Sequence, residues 1–265
     1  MKEFIEIPTA FPPLKTVKLQ DSDTFRPAAT DVNQDQARRK ALMEELEIQA
    51  SFNQQPGFVA SAAHAELGQA IANAKREASE RIAIAAWWAL DRPVLGKAPV
   101  REVNNLREQY GVPKSFNLSI GYVQPHNRVG FATIAILENL ATYPYIVLGA
   151  SFNEDREIAT IKAFTESVQS WTASAWEKEN TNMLLSLWDM AELRRRANLI
   201  NDAPDISDQS FEPTYSQELI QTAEYSEGYV AWVYANEFMS GRSVSLAKLA
   251  MKLDESIATF TDHNQ

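Results

Sequence analysis

The stretch from Ala72 to Trp88, ANAKREASERIAIAAWW, most constrains the fold. It is rich in helix formers, lacks glycine and proline, and turns from densely charged to apolar within one run. A helix over residues 65–90, ended by Asp91-Arg92-Pro93, is the expected structure. At about 100° per residue, Ile71, Ala74, Ala78, Ile82 and Ala85 form its core stripe. Asn73, Glu77, Glu80 and Ile84 gather on a second side, flanked by Trp87 and Trp88. That acidic face therefore runs into apolar surface. A carboxylate there is costly unless cations or hydrogen bonds compensate it. Arg81, four residues after Glu77, offers one positive charge to two glutamates. A divalent cation would complete the balance.

A second helix, capped within Asn153–Asp155 and running to about residue 177, repeats the arrangement. Ile158, Ile161, Phe164, Val168 and Trp171 read as its core stripe, while Lys162, Glu166 and Gln169 share another side. Carboxylates suit Mg²⁺, and lysine, arginine and amide groups suit phosphate or a base. E-x-x-E-R alone is common on solvated, salt-bridged helices, so the reading depends on both faces together. Glu44 and Glu47 make another E-x-x-E in a helix over residues 34–52, but Ile48 stands where the arginine would be. That helix is expected to be an exposed or packing element.

The rest of the chain supplies strands. Alternation at Phe116, Leu118, Ile120 and Tyr122 predicts a half-buried strand, with VGFATIAIL (129–137) as its hairpin partner and YIVLGAS (145–151) as a third. Helices are expected at 100–111, 181–200 and 244–260, a loop at 202–216, and a strand within EGYVAWVYANEF (227–238). Residues 1–33 read as an irregular arm with a short strand at Phe4–Ile7, and residues 34–265 as one domain. The expected class is α/β or α+β, a mixed β-sheet flanked by helices.

Composition removes several functions. The absence of cysteine excludes disulfides, thiolate nucleophiles and Cys-ligated metal centres, and accords with a cytoplasmic protein. The three histidines, His64, His126 and His263, lie far apart, against a histidine metal site or catalytic triad. A formal net charge of −10 argues against nucleic acid as a partner. The one dense basic run, Arg194–Arg196, reads as a solvated helix face. No apolar run approaches the ~20 residues of a membrane span, and MKEFIEIPTAFPP is not patterned as a signal peptide.

Two segments carry a family resemblance. GQAIANAKREASERIAIAAWW (68–88) resembles the nucleotide-binding helix of YcaO-domain proteins, whose S-x-x-x-E-x-x-E-R signature is met by Glu77, Glu80 and Arg81, with Asn73 at the serine. LGASFNEDREIATIKAFTESVQSW (148–171) is similar to the family's A-x-x-R-A-x-T-E-x-x-Q-S stretch. It matches through Ala159, Ala163, Thr165, Glu166, Gln169 and Ser170, with Lys162 at the arginine. The resemblance, over roughly residues 55–240, implies a YcaO-like ATP-binding fold and ATP- and Mg²⁺-dependent activation of a peptide backbone amide. It implies Glu77, Glu80, Glu166 and Glu177 as Mg²⁺ ligands, and Asn73, Arg81, Lys162 and Gln169 as ATP contacts, without naming a catalytic residue. The implied substrate is a precursor peptide of a ribosomally made, modified natural product, the products being azoline, thioamide or amidine. A partner protein for peptide recognition or sulfur delivery, and a homodimer, are also implied. Trp171 replaces the arginine that usually follows E-x-x-Q-S, and the sequence ends IATFTDHNQ rather than in the proline-rich tail of azoline-forming members. A scaffold or nucleotide-binding module without turnover is the alternative expectation.

Overall fold

The structure, a computed structural model, describes residues 3–20, 28–51, 59–89, 92–126, 128–181, 187–206 and 218–235. In chain order the elements are β1 (Phe4–Ile7), β2 (Lys15–Leu19), β3 (Ala28–Asp31), α1 (Gln34–Ser51), β4 (Ala60–His64), α2 (Leu67–Ala89), β5 (Gly96–Lys97) and α3 (Val100–Gln109). They continue with β6 (Asn117–Val123), β7 (Phe131–Glu138), β8 (Ile146–Asn153), α4 (Arg156–Thr181), α5 (Leu187–Asp202), β9 (Glu218–Tyr225) and β10 (Gly228–Ala235). The α+β class holds, with helices against sheets. The described strands form three antiparallel sheets, β1-β2-β3, β4-β10-β9 and β5-β6-β7-β8, instead of one mixed sheet. The links joining β6, β7 and β8 are hairpins, too short for the crossover that parallel neighbours require.

The four-stranded sheet is covered on both faces, which explains why β7, FATIAILE, is almost continuously apolar. Phe131, Ala135 and Leu137 pack with Ala159, Ala163, Phe164 and Val168 of α4. The alternate residues Ala132, Ile134 and Ile136 pack with Ile84 and Trp87 of α2 and Ile200 of α5. Helix α2 is shared between sheets. Its first half buries Ala70, Ala74, Ala78 and Ile82 against Ala60, Ala62, Ala231 and Val233 of β4 and β10. Its second half buries Ala83, Ile84 and Trp87 on the four-stranded sheet. Glu77 and Glu80 sit where the helix passes from one sheet to the other.

Gly149 sets the seat of α4. A Cβ there would lie 2.1 Å from Ser167 N and 2.3 Å from Ala163 O, so the helix backbone rests directly on β8. The facing helix residues Ala159, Ala163 and Ser167 are themselves small and fully buried. This close approach fixes the height at which α4 presents the face carrying Glu166.

Several sequence expectations change. The N-terminal arm is not irregular where it is described: residues 4–19 and 28–31 supply three paired strands, with Val17 and Ala29 packed on Ala37 and Ala41 of α1. Short strands interrupted by Pro8, Pro12 and Pro13 leave too little alternation to read. Arg196 is not solvated. It is 3% exposed, its guanidinium lies over the Trp87 and Trp88 rings, and it donates to the Trp87 and Trp88 carbonyls at 2.8 Å each. It thus caps the C-terminal end of α2 from another helix. Ile158, placed in the core stripe of α4, is 44% exposed, because the buried face centres on Ala159, Ala163, Phe164 and Val168 and Ile158 lies about 120° around the helix from Phe164. The expected 181–200 helix is observed as α5 from Leu187, α4 itself continuing to Thr181. The helix expected at 244–260 lies outside the described residues.

Candidate functional site

Helices α2 and α4 bring together the two charged faces that the sequence places on them. On α2, Glu77 and Arg81 form an ion pair one turn apart. Glu80 is half-buried and within electrostatic reach of Glu166 and Lys162 on α4. Its carboxyl is pushed well above the ordinary carboxylate range, first by loss of water and then by the negative charges of Glu77 and Glu166; Arg81 and Lys162 offset this in part. Glu166 and Lys162 on α4 are exposed by area. Lys162 is held below its ordinary range by partial loss of hydration, then by the cations Arg76 and Lys40, against the pull of Glu80 and Glu166. Like charges of both signs are therefore gathered from separate elements.

Asn73 lies one turn before Glu77, and its side-chain oxygen accepts a long 3.4 Å bond from Arg76. Arg76 also pairs with Glu154 at 3.0 Å, as does Arg128 at 2.9 Å, tying α2 to the end of β8. Gln169 is engaged by the protein. Its amide oxygen accepts from Thr30 N and its amide nitrogen donates to Ala28 O, both at 3.1 Å. It satisfies the free edge of β3 as a neighbouring strand would. The backbone of Glu177 lies in α4, and its side chain is outside the described residues. Trp171 packs on Phe116 with ring centroids 4.8 Å apart and is 4% exposed. It lies roughly 140° around α4 from Glu166, so it belongs to the core rather than to the charged face.

Helix α1, expected to be an exposed or packing element, packs on the strands beside it, and its carboxylates are engaged as well. Glu47 accepts a 2.6 Å bond from the Ser61 hydroxyl on β4. Its carboxyl is raised above the ordinary range by burial and then by Glu77, against the Ser61 bond and Arg81. Glu44 accepts from Ala28 N at 2.9 Å. The signal in the sequence is the spacing of Lys40, Glu44 and Glu47, which lie on one helix face. The apparent defect at Ile48 hides it, because Glu47 finds its hydrogen-bond partner, Ser61, on β4.

The donor set of Glu77, Glu80 and Glu166 is made of hard carboxylate oxygens, the chemistry that Mg²⁺ takes. The crowding around Glu80 is the charge imbalance that such an ion would relieve. In this structure no three acidic or histidine side chains among the described residues close on one another tightly enough to hold a metal. Among those residues no helix is long and apolar enough to cross a membrane.

Helices against antiparallel sheets, with charged faces of α2 and α4 meeting at their joint, define an α+β fold of the YcaO-domain type. The structure superposes on YcaO from Methanopyrus kandleri bound with AMPPCP and Mg²⁺, with a TM-score of 0.65 at 13% identity, covering 88% of this chain and 84% of that one. It also matches a chain of the E. coli microcin synthetase McbBCD complex, with a TM-score of 0.62 at 10% identity, covering 88% and 86%. No protein-family model matches the chain, and comparison of its sequence with curated proteins finds no match. The likeness lies in the fold.

Proposed function

We propose that the protein binds ATP with Mg²⁺ between α2 and α4 and uses it to activate a backbone amide of a precursor peptide. The observation that carries this reading is the half-buried Glu80 carboxyl, within electrostatic reach of Glu77 and Glu166 and of the cations Arg81 and Lys162. The M. kandleri neighbour of the same fold, solved with AMPPCP and Mg²⁺, supports it. In this reading Glu77, Glu80 and Glu166, with Glu177 as a further donor, hold Mg²⁺. The ion supplies charge neutralisation at the phosphates. Arg81, Lys162 and Asn73 hold the nucleotide, and Gln169 positions β3 beside it.

The amide oxygen attacks the γ-phosphorus and ADP leaves. A side-chain hydroxyl or thiol, a sulfur donor or an amine then adds to the amide carbon, and phosphate departs with the former amide oxygen. Azoline, thioamide or amidine follows according to the nucleophile. Such phosphoryl transfer asks the protein for positioning and electrostatics rather than covalent catalysis, which suits a chain without cysteine. A partner protein for peptide recognition or sulfur delivery is part of the proposal, as the neighbouring microcin synthetase is a complex. So are cytoplasmic action and a homodimer.

The test is peptide-dependent release of phosphate from ATP, followed by mass spectrometry of the peptide for loss of water or replacement of oxygen by sulfur. A second reading, nucleotide binding without turnover, is favoured by the engagement of both ends of the Gln169 amide with β3. ATP binding with no phosphate release, across peptides and partners encoded beside the protein, would establish that reading instead.

A further inference from the structure

Helix α1 lies against strands of two sheets: β2 and β3 of the N-terminal sheet, and β4 with its neighbour β10. Strand β3 is tied to α4 by the Gln169 amide, and β4 lies beneath α2 through Ala60 and Ala62. A helix bridging β3 and β4 therefore spans the gap between α2 and α4. Its polar stripe, Lys40, Glu44 and Glu47, follows i, i+4, i+7 spacing and turns toward that gap. One end of the stripe, Glu47, is within electrostatic reach of Glu77 and Arg81 on α2. The other end, Lys40, is within reach of Lys162 on α4. The two ends are about 10 Å apart along the helix.

Building on the nucleotide-binding reading, we propose that α1 is the third wall of the site and that Lys40 contacts the ATP phosphates together with Arg76 and Lys162. Three cations from three helices lie within electrostatic reach of one another: Lys162 is held down first by loss of hydration and then by the repulsion of Arg76 and Lys40. A polyanion between them removes that repulsion. Lys40 is bonded to Asp31 at 2.7 Å. An ammonium has three donors, so the bond aims Lys40 while leaving capacity for a phosphate oxygen. Its side chain is 58% exposed, so its replacement does not empty the core.

The experiment is calorimetric titration of the full chain with ATP and with AMP, each in Mg²⁺. The variants are Lys40→Met, Lys40→Arg and the control Lys15→Met, all checked by thermal melting. Lys15 pairs with Glu6 at 3.4 Å and stands opposite Asp31 across β2 and β3, so it is a neighbouring cation whose removal leaves the Lys40 ammonium in place. The expected result is ATP affinity about tenfold or more weaker in Lys40→Met, the size of a lost charge-assisted bond. AMP affinity should stay within about twofold, Lys40→Arg should retain most of the ATP affinity, and the control should be unchanged. ATP binding unaltered in Lys40→Met, or ATP and AMP weakened equally, would overturn the assignment of Lys40 while leaving the site on α2 and α4 standing. Wild-type protein that binds no ATP would overturn both.

Discussion

Glu80 is a carboxyl placed where its own neighbours disfavour its charge. With its folded pKa above the ordinary 4.5, the metal-free folded protein binds a proton that the unfolded chain releases above that pH. Stability therefore falls as pH rises from about 4.5 through the folded value. Glu80→Gln should raise the melting temperature of metal-free protein at neutral pH, by roughly 2–4 °C for each ~1 kcal/mol of relieved repulsion. The same change should weaken Mg²⁺-dependent ATP binding. A lower melting temperature in that variant would show that Glu80 stabilises the fold in its own right. His126 gives the opposite case. Burial, then Arg92, lowers its pKa from 6.5 to about 4. Between those values the unfolded chain takes a proton that the folded one refuses, so acidification destabilises the protein. Denaturant melts between pH 7 and 5 should show a shallower decline for His126→Gln than for wild type. At this scale, helical spacing was enough to put Glu77 and Glu80 on one face and Glu166 and Gln169 on another. It could not pair Glu47 with Ser61, or Gln169 with Ala28 and Thr30, because those partners are remote in sequence.

Helix α2 owes its position to two contacts that no local pattern announces. Its C-terminal carbonyls at Trp87 and Trp88 are satisfied by Arg196 of α5. Removing that donor leaves two carbonyls unpaired against tryptophan, each costing on the order of 1–3 kcal/mol. Arg196→Leu should therefore lower the unfolding free energy by about 3 kcal/mol, read by urea denaturation, whereas Arg194→Leu, at a 58% exposed side chain paired with Glu138, should change it little. Helix α4 depends on Gly149 in a similar way. A methyl group there meets helix backbone, which cannot rotate aside, so Gly149→Ala should cost about 3 kcal/mol, the upper range for overpacking. A smaller loss would mean that α4 can lift off β8, and the Glu166 face would then be less fixed than described. The long helices and the β6-β7-β8 hairpins were legible from their periods. Strand β4, ASAAH, was not, because alanine and serine carry no strand signal and their burial comes from α2.

For the molecule as a whole, the fold explains why two sheets share one helix. Sheet packing puts α2 across a joint, α4 on the opposite face of the four-stranded sheet, and α1 over the gap. The charged stripes of all three then lie within electrostatic reach of one another. The fold class and the two motif-bearing helices could be read in advance, but the split into three antiparallel sheets depends on pairings such as β4 with β10, more than a hundred residues apart. The central claim is that this junction holds ATP with Mg²⁺. Its most direct test is calorimetric titration of the purified protein with ATP, with and without Mg²⁺, beside folded Glu77→Ala and Glu166→Ala variants. The account predicts Mg²⁺-dependent binding in the wild type, lost or weakened by about tenfold or more in both variants, as expected when a charged ligand contact is removed. Wild-type binding that persists unchanged in both variants, or no binding at all, would contradict it.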